Sequence, residues 1–265
     1  VQDELTSGER RFEIFYQKKE DEPLARQVGS VMARLHWLGH DYLGVTTGRG
    51  GTQLWLSHTG TAGAEEADGH LWLHAIGEQR APAEWVRELA HEYAHAVLPE
   101  LGPYSRPERW ANGYLGERLF LKWMLHDNRQ SDVWTEPIDG AAYVVNQVKP
   151  LTDLFLNEGP DSPRGALTNE DGMHFLIGQF MMLEAAHGPV LLREMLGRIG
   201  SPSPRGLPVI LAASIRELTP AVLPVQPAVF IPGVSSGAEL TAAGSVRAQR
   251  AAYRVYLPSG EWVLA

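Results

Sequence analysis

The chain has 265 residues, of which 44% are hydrophobic and 21% are charged, a composition typical of globular proteins. Its 23 Lys and Arg against 32 Asp and Glu give a formal charge of −9, which argues against nucleic acid or an anionic membrane as the main partner. The absence of cysteine excludes disulfides, Cys-ligated zinc and thiol catalysis. Since no run of 18 apolar residues occurs, the sequence predicts no membrane-spanning helix.

The first residue, Val1, is not a methionine, and no apolar signal core follows it. This start fits either an exported protein whose targeting segment was removed or a chain that was trimmed. The compartment and the oligomeric state therefore stay open.

Short strands and one amphipathic helix come first along the chain. Residues 12–16 alternate loosely between apolar and polar and are expected to form an edge strand. After Pro23, apolar residues recur at steps of three and four, which predicts a helix to Leu38, ended by Gly39 and Gly44. Two further strands are expected at 54–56 and 71–76, with a loop between them at 59–69.

Helices dominate the middle of the chain. One is predicted over 82–98, because Pro82 suits a first turn and Pro99 ends the apolar pattern. Further helices are expected at about 108–125, 141–156, 169–187 and 189–199, with a flexible loop over 158–169. The composition changes at 201–206, which are rich in Ser and Pro. Beyond them the pattern predicts a last helix at 209–218, a strand at 228–231, and a hairpin at 252–265 with its turn at 258–260.

This order of elements predicts an α+β fold. The helix over 82–98 would lie against a small sheet, and a helical part would follow it. We expect this main domain to cover residues 1–204 and a small β-rich appendage to cover residues 205–265.

The helix over 82–98 contains the pattern His91-Glu92-Tyr93-Ala94-His95. On a helix, two residues four apart lie about 40° apart around the axis, so His91 and His95 can hold one metal ion. Glu92 is placed to act as general base toward a water on that ion. Tyr93 points to the opposite side of the helix and is expected to pack in the core.

This pentad, with short strands before it and a helix after it, resembles the zincin metallopeptidases. No Gly-x-x-His follows His95, so the resemblance is to the gluzincins, a thermolysin-like or peptidase-MA-like group. The stretch from His174 to Leu196 also resembles bacterial peptidase-MA-like proteins. The resemblance covers roughly residues 12–200 and implies a zincin-like fold, a bound Zn²⁺ and hydrolysis of a peptide or protein substrate.

In such proteins the third zinc ligand is a Glu on the helix after the pentad, and this chain departs from that pattern. Asn112 stands before Gly113 where a Glu is expected, and a neutral amide is a poor zinc ligand. Glu117 follows His95 by 22 residues and is the predicted third ligand, with Glu108 as the next choice. If neither binds, the site has two histidines and is degenerate.

Catalysis also needs a donor for the developing oxyanion, and the resemblance implies His174 for this role. Tyr114 and Tyr104 are the other candidates. The leading hypothesis is a zinc-dependent peptidase in which Glu92 is the general base. The alternative is a non-catalytic zincin-like binding or scaffold protein with a degenerate metal site.

Overall fold

The computed structural model describes residues 12–45, 52–78, 81–126, 139–159 and 162–199, together with three strands near the C-terminus. The chain divides into two compact units. Unit 1 combines Val1–Pro99 with Asn112–Val144, and unit 2 combines Glu100–Ala111 with Val145–Ala265.

A four-stranded mixed sheet forms the β layer of unit 1. Its strands are β1 (Phe12–Tyr16), β2 (Thr52–Leu56), β3 (Gly63–Ala67) and β4 (His70–His74), in the order β1-β2-β4-β3. The first three strands in this order run parallel, and β3 runs antiparallel to β4. The predicted strands at 12–16, 54–56 and 71–76 are confirmed, and β1 lies at an edge as expected.

One face of this sheet is buried beneath helices, because apolar side chains alternate along its strands. The helix α1 (Glu22–Leu38) packs on β1, and the helix α2 (Pro82–Val97) packs on β3 and β4. The predicted end of α1 at Leu38 is confirmed, and the chain then continues as a π-helical turn, Gly39–Leu43. It ends at Gly44, whose φ of 68° lies in the left-handed region that glycine tolerates.

The strand β3 lies where the sequence predicts a loop, so that prediction is wrong. Its residues Gly-Ala-Glu-Glu-Ala have low strand propensity. The hairpin to β4 is instead formed by the turn residues Asp68 and Gly69, which both have positive φ values, of 52° and 78°. An Asp-Gly pair is a strong indicator of a β-hairpin, so this pair is the sequence feature from which β3 could have been predicted.

The helix α3 (Asn112–His126) packs against α2, which also contacts α1, and the candidate site lies along the contact between α2 and α3. The sequence predicts its start at about 108, four residues too early. The residues before it form backbone hydrogen bonds that are not helical. Tyr104 N–H donates to the carbonyl of Arg109, and Ala111 N–H donates to the carbonyl of Leu101. The short helix α4 (Gly140–Tyr143) completes the described helices of unit 1.

Unit 2 is mainly helical where it is described. Its helices are α5 (Lys149–Glu158), α6 (Glu170–His187) and α7 (Pro189–Arg198), and they confirm the predicted helices at 169–187 and 189–199. Pro150 is the second residue of α5 and lies in the first turn of that helix, where proline is tolerated. A second sheet has the order β5-β6-β7, formed by Ala228–Ile231, Ala252–Tyr256 and Trp262–Leu264.

The structure therefore confirms a mixed α+β architecture with a small sheet. The predicted helix over 209–218, the hairpin turn at 258–260 and the domain boundary after residue 204 lie outside the described residues. Within the described residues, no helix is both long enough and apolar enough to cross a membrane.

Candidate metal centre

The helix α2 presents the pentad at the boundary between core and solvent. Its apolar face is buried, and Tyr93 is fully buried as predicted. His91, Glu92 and His95 are half-buried. This division follows from the helical period, which turns the three polar side chains away from the core.

The two histidines of the pentad converge on one point. Nε2 of His91 lies 3.2 Å from Nε2 of His95, and the rings meet nearly edge to face. Two nitrogens bound to one tetrahedral zinc at about 2.0–2.1 Å lie about 3.3–3.4 Å apart. The observed separation therefore fits a pair of ligands to a single ion.

Asn112 sets the protonation pattern of His95. Its Nδ2 donates to the carbonyl of Leu98 at 3.2 Å, which fixes the orientation of the amide. Its Oδ1 then faces Nδ1 of His95 at 3.0 Å and can only accept. In the neutral ring the proton is therefore on Nδ1, and the lone pair of Nε2 points toward His91.

Glu117 has the corresponding position behind His91. Its Oε2 lies 3.7 Å from Nδ1 of His91, a distance that makes the contact electrostatic rather than a hydrogen bond. Its carboxylate also binds Nε of Arg87 at 2.8 Å and Nη1 of Arg118 at 3.3 Å. Burial by itself would raise the pKa of Glu117, but His91, Arg118 and Arg87 together lower it below its usual value.

The position of Glu117 does not favour the predicted ligand role. Its carboxylate faces the Nδ1 side of His91, whereas the two histidines converge through Nε2. Asn112 and Glu117 instead lie beside Nδ1 of His95 and of His91, the nitrogen of each ring that faces away from the common point. Proteins orient metal-binding imidazoles through such outer partners. The sequence alone pointed to Asn112 only as a departure from a family pattern.

This arrangement leaves two nitrogen lone pairs facing each other. Asn112 keeps the proton of His95 on Nδ1, and the nearby charge of Glu117 favours a proton on Nδ1 of His91, so both rings can offer the lone pair of Nε2 to one cation. The chemistry of the donor set therefore fits a divalent metal with a preference for imidazole, such as zinc.

Gly113 keeps the space beside these nitrogens open. A Cβ at this position would lie 2.4 Å from Nε2 of His95 and 2.5 Å from Nε2 of His91. Every other residue carries a Cβ, so only glycine lets the first turn of α3 approach the two rings this closely. The sequence marks Gly113 only by its place beside Asn112.

Removing the outer partner of His95 should weaken metal binding. In Asn112→Ala, His95 is free to change tautomer and orientation, so we expect the zinc affinity to fall by about 10- to 100-fold. Asn112→Asp keeps an acceptor for Nδ1 and should recover most of the affinity. Competition with a chromophoric zinc chelator measures both, and an unchanged affinity in Asn112→Ala would exclude this role.

A groove of about 560 Å³ lies beside the pentad within unit 1. One wall is the start of β3, with the small residues Ala62, Gly63 and Ala64, and the other walls come from α2 and α3. The polar residues that line it are Glu84, Arg87, Glu88, His91, Glu92, Tyr114 and Glu117. The predicted base Glu92 and the predicted ligand His91 thus share one groove with Tyr114.

The remaining predicted site residues lie in unit 2. His174 is on α6, half-buried, with Nε2 4.0 Å from the carboxylate of Glu170. Tyr104 is buried, which raises the pKa of its phenol. Glu108, the alternative ligand, lies in the Glu100–Ala111 segment of the same unit. The roles predicted for these three residues stay predictions of the sequence.

Comparison with models of protein families, with curated proteins and with solved structures gives no significant match for this chain.

Proposed function

We propose that this protein is a zinc-dependent peptidase with a zincin-like domain, in which His91 and His95 hold the metal. The observation that carries the proposal is the pair of Nε2 atoms 3.2 Å apart, on the helix that also presents Glu92. The acceptors behind both rings support it, because they prepare the two nitrogens to bind a cation.

Glu92 is the general base in this proposal. A bound zinc would polarise the substrate carbonyl and acidify the attacking water. Glu92 takes a proton from that water as the new C–O bond forms at the carbonyl carbon. It then delivers the proton to the amine nitrogen as the C–N bond breaks. Peptide and water are consumed, a carboxylate and an amine are produced, and no covalent enzyme intermediate is needed.

The strand β3 supports a peptide as the substrate. It is the last strand of its sheet, so one of its edges has no strand partner among the described residues. Its first residues line the groove that contains Glu92 and His91. An extended peptide can add to such an edge through backbone hydrogen bonds, which would place its carbonyl groups beside the pentad.

Glu92→Gln tests the catalytic role directly. This change keeps the size of the side chain and removes the base, so we expect peptide hydrolysis to fall by about 10²–10⁴-fold. The zinc content should stay at the wild-type level, because Glu92 is not a ligand in this proposal. A mixed peptide library with mass-spectrometric detection provides the assay, and metal analysis provides the second measurement.

Glu88→Gln is the matched control for this experiment. Glu88 lies one turn earlier on α2 and lines the same groove. It should keep wild-type hydrolysis, so a general effect of lost negative charge can be separated from loss of the base. Hydrolysis that persists in Glu92→Gln at the rate of Glu88→Gln would refute the proposed mechanism.

The second candidate function is a non-catalytic zincin-like binding protein. The observation that favours it is the engagement of both residues near the expected third-ligand position: Asn112 binds His95, and Glu117 binds two arginines. In this case purified protein would hold little or no zinc and would cleave no member of the peptide library. One zinc per chain together with hydrolysis that depends on Glu92 would exclude it.

A further inference from the structure

The sheet of unit 1 carries a row of aromatic side chains on the face that the helices leave uncovered. Phe15, Trp55 and Trp72 are register partners on β1, β2 and β4, and Glu65 of β3 lies opposite Trp72. Register partners point to the same face, and neighbouring strands are about 4.8 Å apart, so this outer row extends for about 14 Å across the sheet. The outer row shares no residue with the groove beside the pentad.

The rings at the β1 end of the outer row are exposed. Phe15 and Trp55 keep 36% and 39% of their surface accessible, and their rings stack with a centroid distance of 4.2 Å and an interplanar angle of 14°. Such a cross-strand pair stabilises the sheet, but it occupies one face of the indole. Trp55 makes no second ring contact among the described residues. Part of its indole is therefore open to a partner.

The charge around the outer row is negative. The four strands of this sheet contain Glu13, Glu65 and Glu66, and none of their residues is Lys or Arg. Glu13 lies two residues before Phe15 on β1 and therefore shares its face. Glu65 ends the row on the other side, and its side chain stays 61% exposed although His74 Nε2 lies 3.3 Å from Oε1. The rings thus lie between two carboxylates.

We propose that the outer row binds arginine side chains on a basic segment of a partner protein. A guanidinium is planar and always charged, stacks on the face of an indole and donates in a fork to a carboxylate. Trp55 and Trp72 offer the indoles, and Glu65 and Glu13 offer the carboxylates. A net charge of −9 on the chain also favours approach of a basic partner. This binding does not depend on the proposed peptidase function.

Trp37 shows the same kind of contact within the chain. It is 41% exposed, and the guanidinium of Arg34 lies 4.9 Å from its ring centroid. In the part of the chain that the structure describes, no arginine or lysine lies over Phe15, Trp55 or Trp72. Trp37 already has a cation from its own chain, which makes it a control of matched exposure for Trp55.

A repeat peptide of glycine and D-arginine, blocked at both ends, tests this surface, because D-residues resist hydrolysis. The matched probe replaces each arginine by citrulline, which keeps the shape and removes the charge. By calorimetry, the wild type should bind the arginine peptide about tenfold more tightly than the citrulline peptide. The indole N–H resonances of Trp55 and Trp72 should shift on binding, and that of Trp37 should not. Equal affinity for both peptides, or no binding, would overturn the proposal.

Trp55→Thr separates ring stacking from general attraction between opposite charges. It leaves the net charge unchanged and suits a strand, and we expect the arginine peptide to bind about fivefold more weakly. Trp37→Ala should keep wild-type affinity. A cationic peptide that binds instead in the carboxylate-lined groove beside the pentad would leave the Trp55 and Trp72 resonances in place and would bind Trp55→Thr as well as the wild type. That result would overturn the assignment of this surface.

Glu65→Gln provides a second variant that changes no packed side chain. Loss of this exposed carboxylate should weaken binding of the arginine peptide by about two- to threefold. Glu22→Gln removes the same charge from the exposed side of α1 and should leave the affinity unchanged. Equal weakening by the two variants would show attraction to the net charge alone and would contradict the proposal.

Discussion

Gly113→Ala should abolish zinc binding while leaving the fold in place. The added Cβ would lie within 2.5 Å of both Nε2 atoms, so the rings of His91 and His95 must swing away from their common point. Because these atoms are the ends of rotatable side chains, the backbone need not move. We expect zinc affinity to fall by more than about 100-fold, beyond the usual effect of losing an outer partner. Zinc titration followed by thermal unfolding measures both properties.

Gly116→Ala is the matched control for that variant. Gly116 lies one turn later on α3, where a Cβ would be 2.0 Å from Cβ of Ala94. That atom is fixed to the backbone of α2, so relief requires the two helices to separate, at a cost of about 1–3 kcal/mol. We thus expect the main effect of Gly116→Ala to be a lower free energy of unfolding, and the main effect of Gly113→Ala to be a lower zinc affinity. Wild-type zinc affinity in Gly113→Ala would refute the proposed metal position.

Glu117→Gln should lower the free energy of unfolding by about 3 kcal/mol. Glu117 is buried and pairs with the buried Arg118 and the half-exposed Arg87. Removing one charge of a buried network leaves its partners uncompensated, and the solvent exposure of Arg87 keeps the cost at the lower end of the usual range. Urea unfolding in the presence of EDTA measures this effect without any contribution from a metal.

Glu22→Gln provides the comparison for that measurement. Glu22 pairs with Arg26 on the exposed side of α1, where water screens the charges, so the change in stability should be small. Equal destabilisation by the two variants would contradict the importance of the buried network around Glu117.

The same Glu117 variant decides between two roles for this residue at the metal. If Glu117 only orients the ring of His91, its loss should reduce zinc affinity by about 10- to 100-fold and leave zinc binding measurable. As the third ligand, its loss should remove zinc binding far more completely. The contacts with Nδ1 of His91 and with Arg87 favour the first result.

The helix α2 could be predicted almost completely from the sequence. Its start at Pro82, its end before Pro99, its buried face and the convergence of His91 and His95 all follow from the helical period. Such local features depend on residues a few positions apart, which a single sequence displays directly.

The outer partners of the histidines could not be predicted in this way. Whether Asn112 and Glu117 contact the metal or the rings depends on how closely α3 approaches α2, and Gly113 and Gly116 determine that approach. A polar side chain in a sequence carries no sign of which nitrogen it will face. The strand β3 was missed for a related reason, since its pairing with β4 outweighs its weak local propensity.

Titration of the metal-free protein with zinc tests most sharply whether His91 and His95 form one metal site. Wild-type protein should bind one zinc per chain, and X-ray absorption at the zinc edge should show two imidazole ligands. The His91→Ala/His95→Ala double variant should bind none at the same concentrations. Equal zinc binding by the double variant, or none by the wild type, would exclude this metal site.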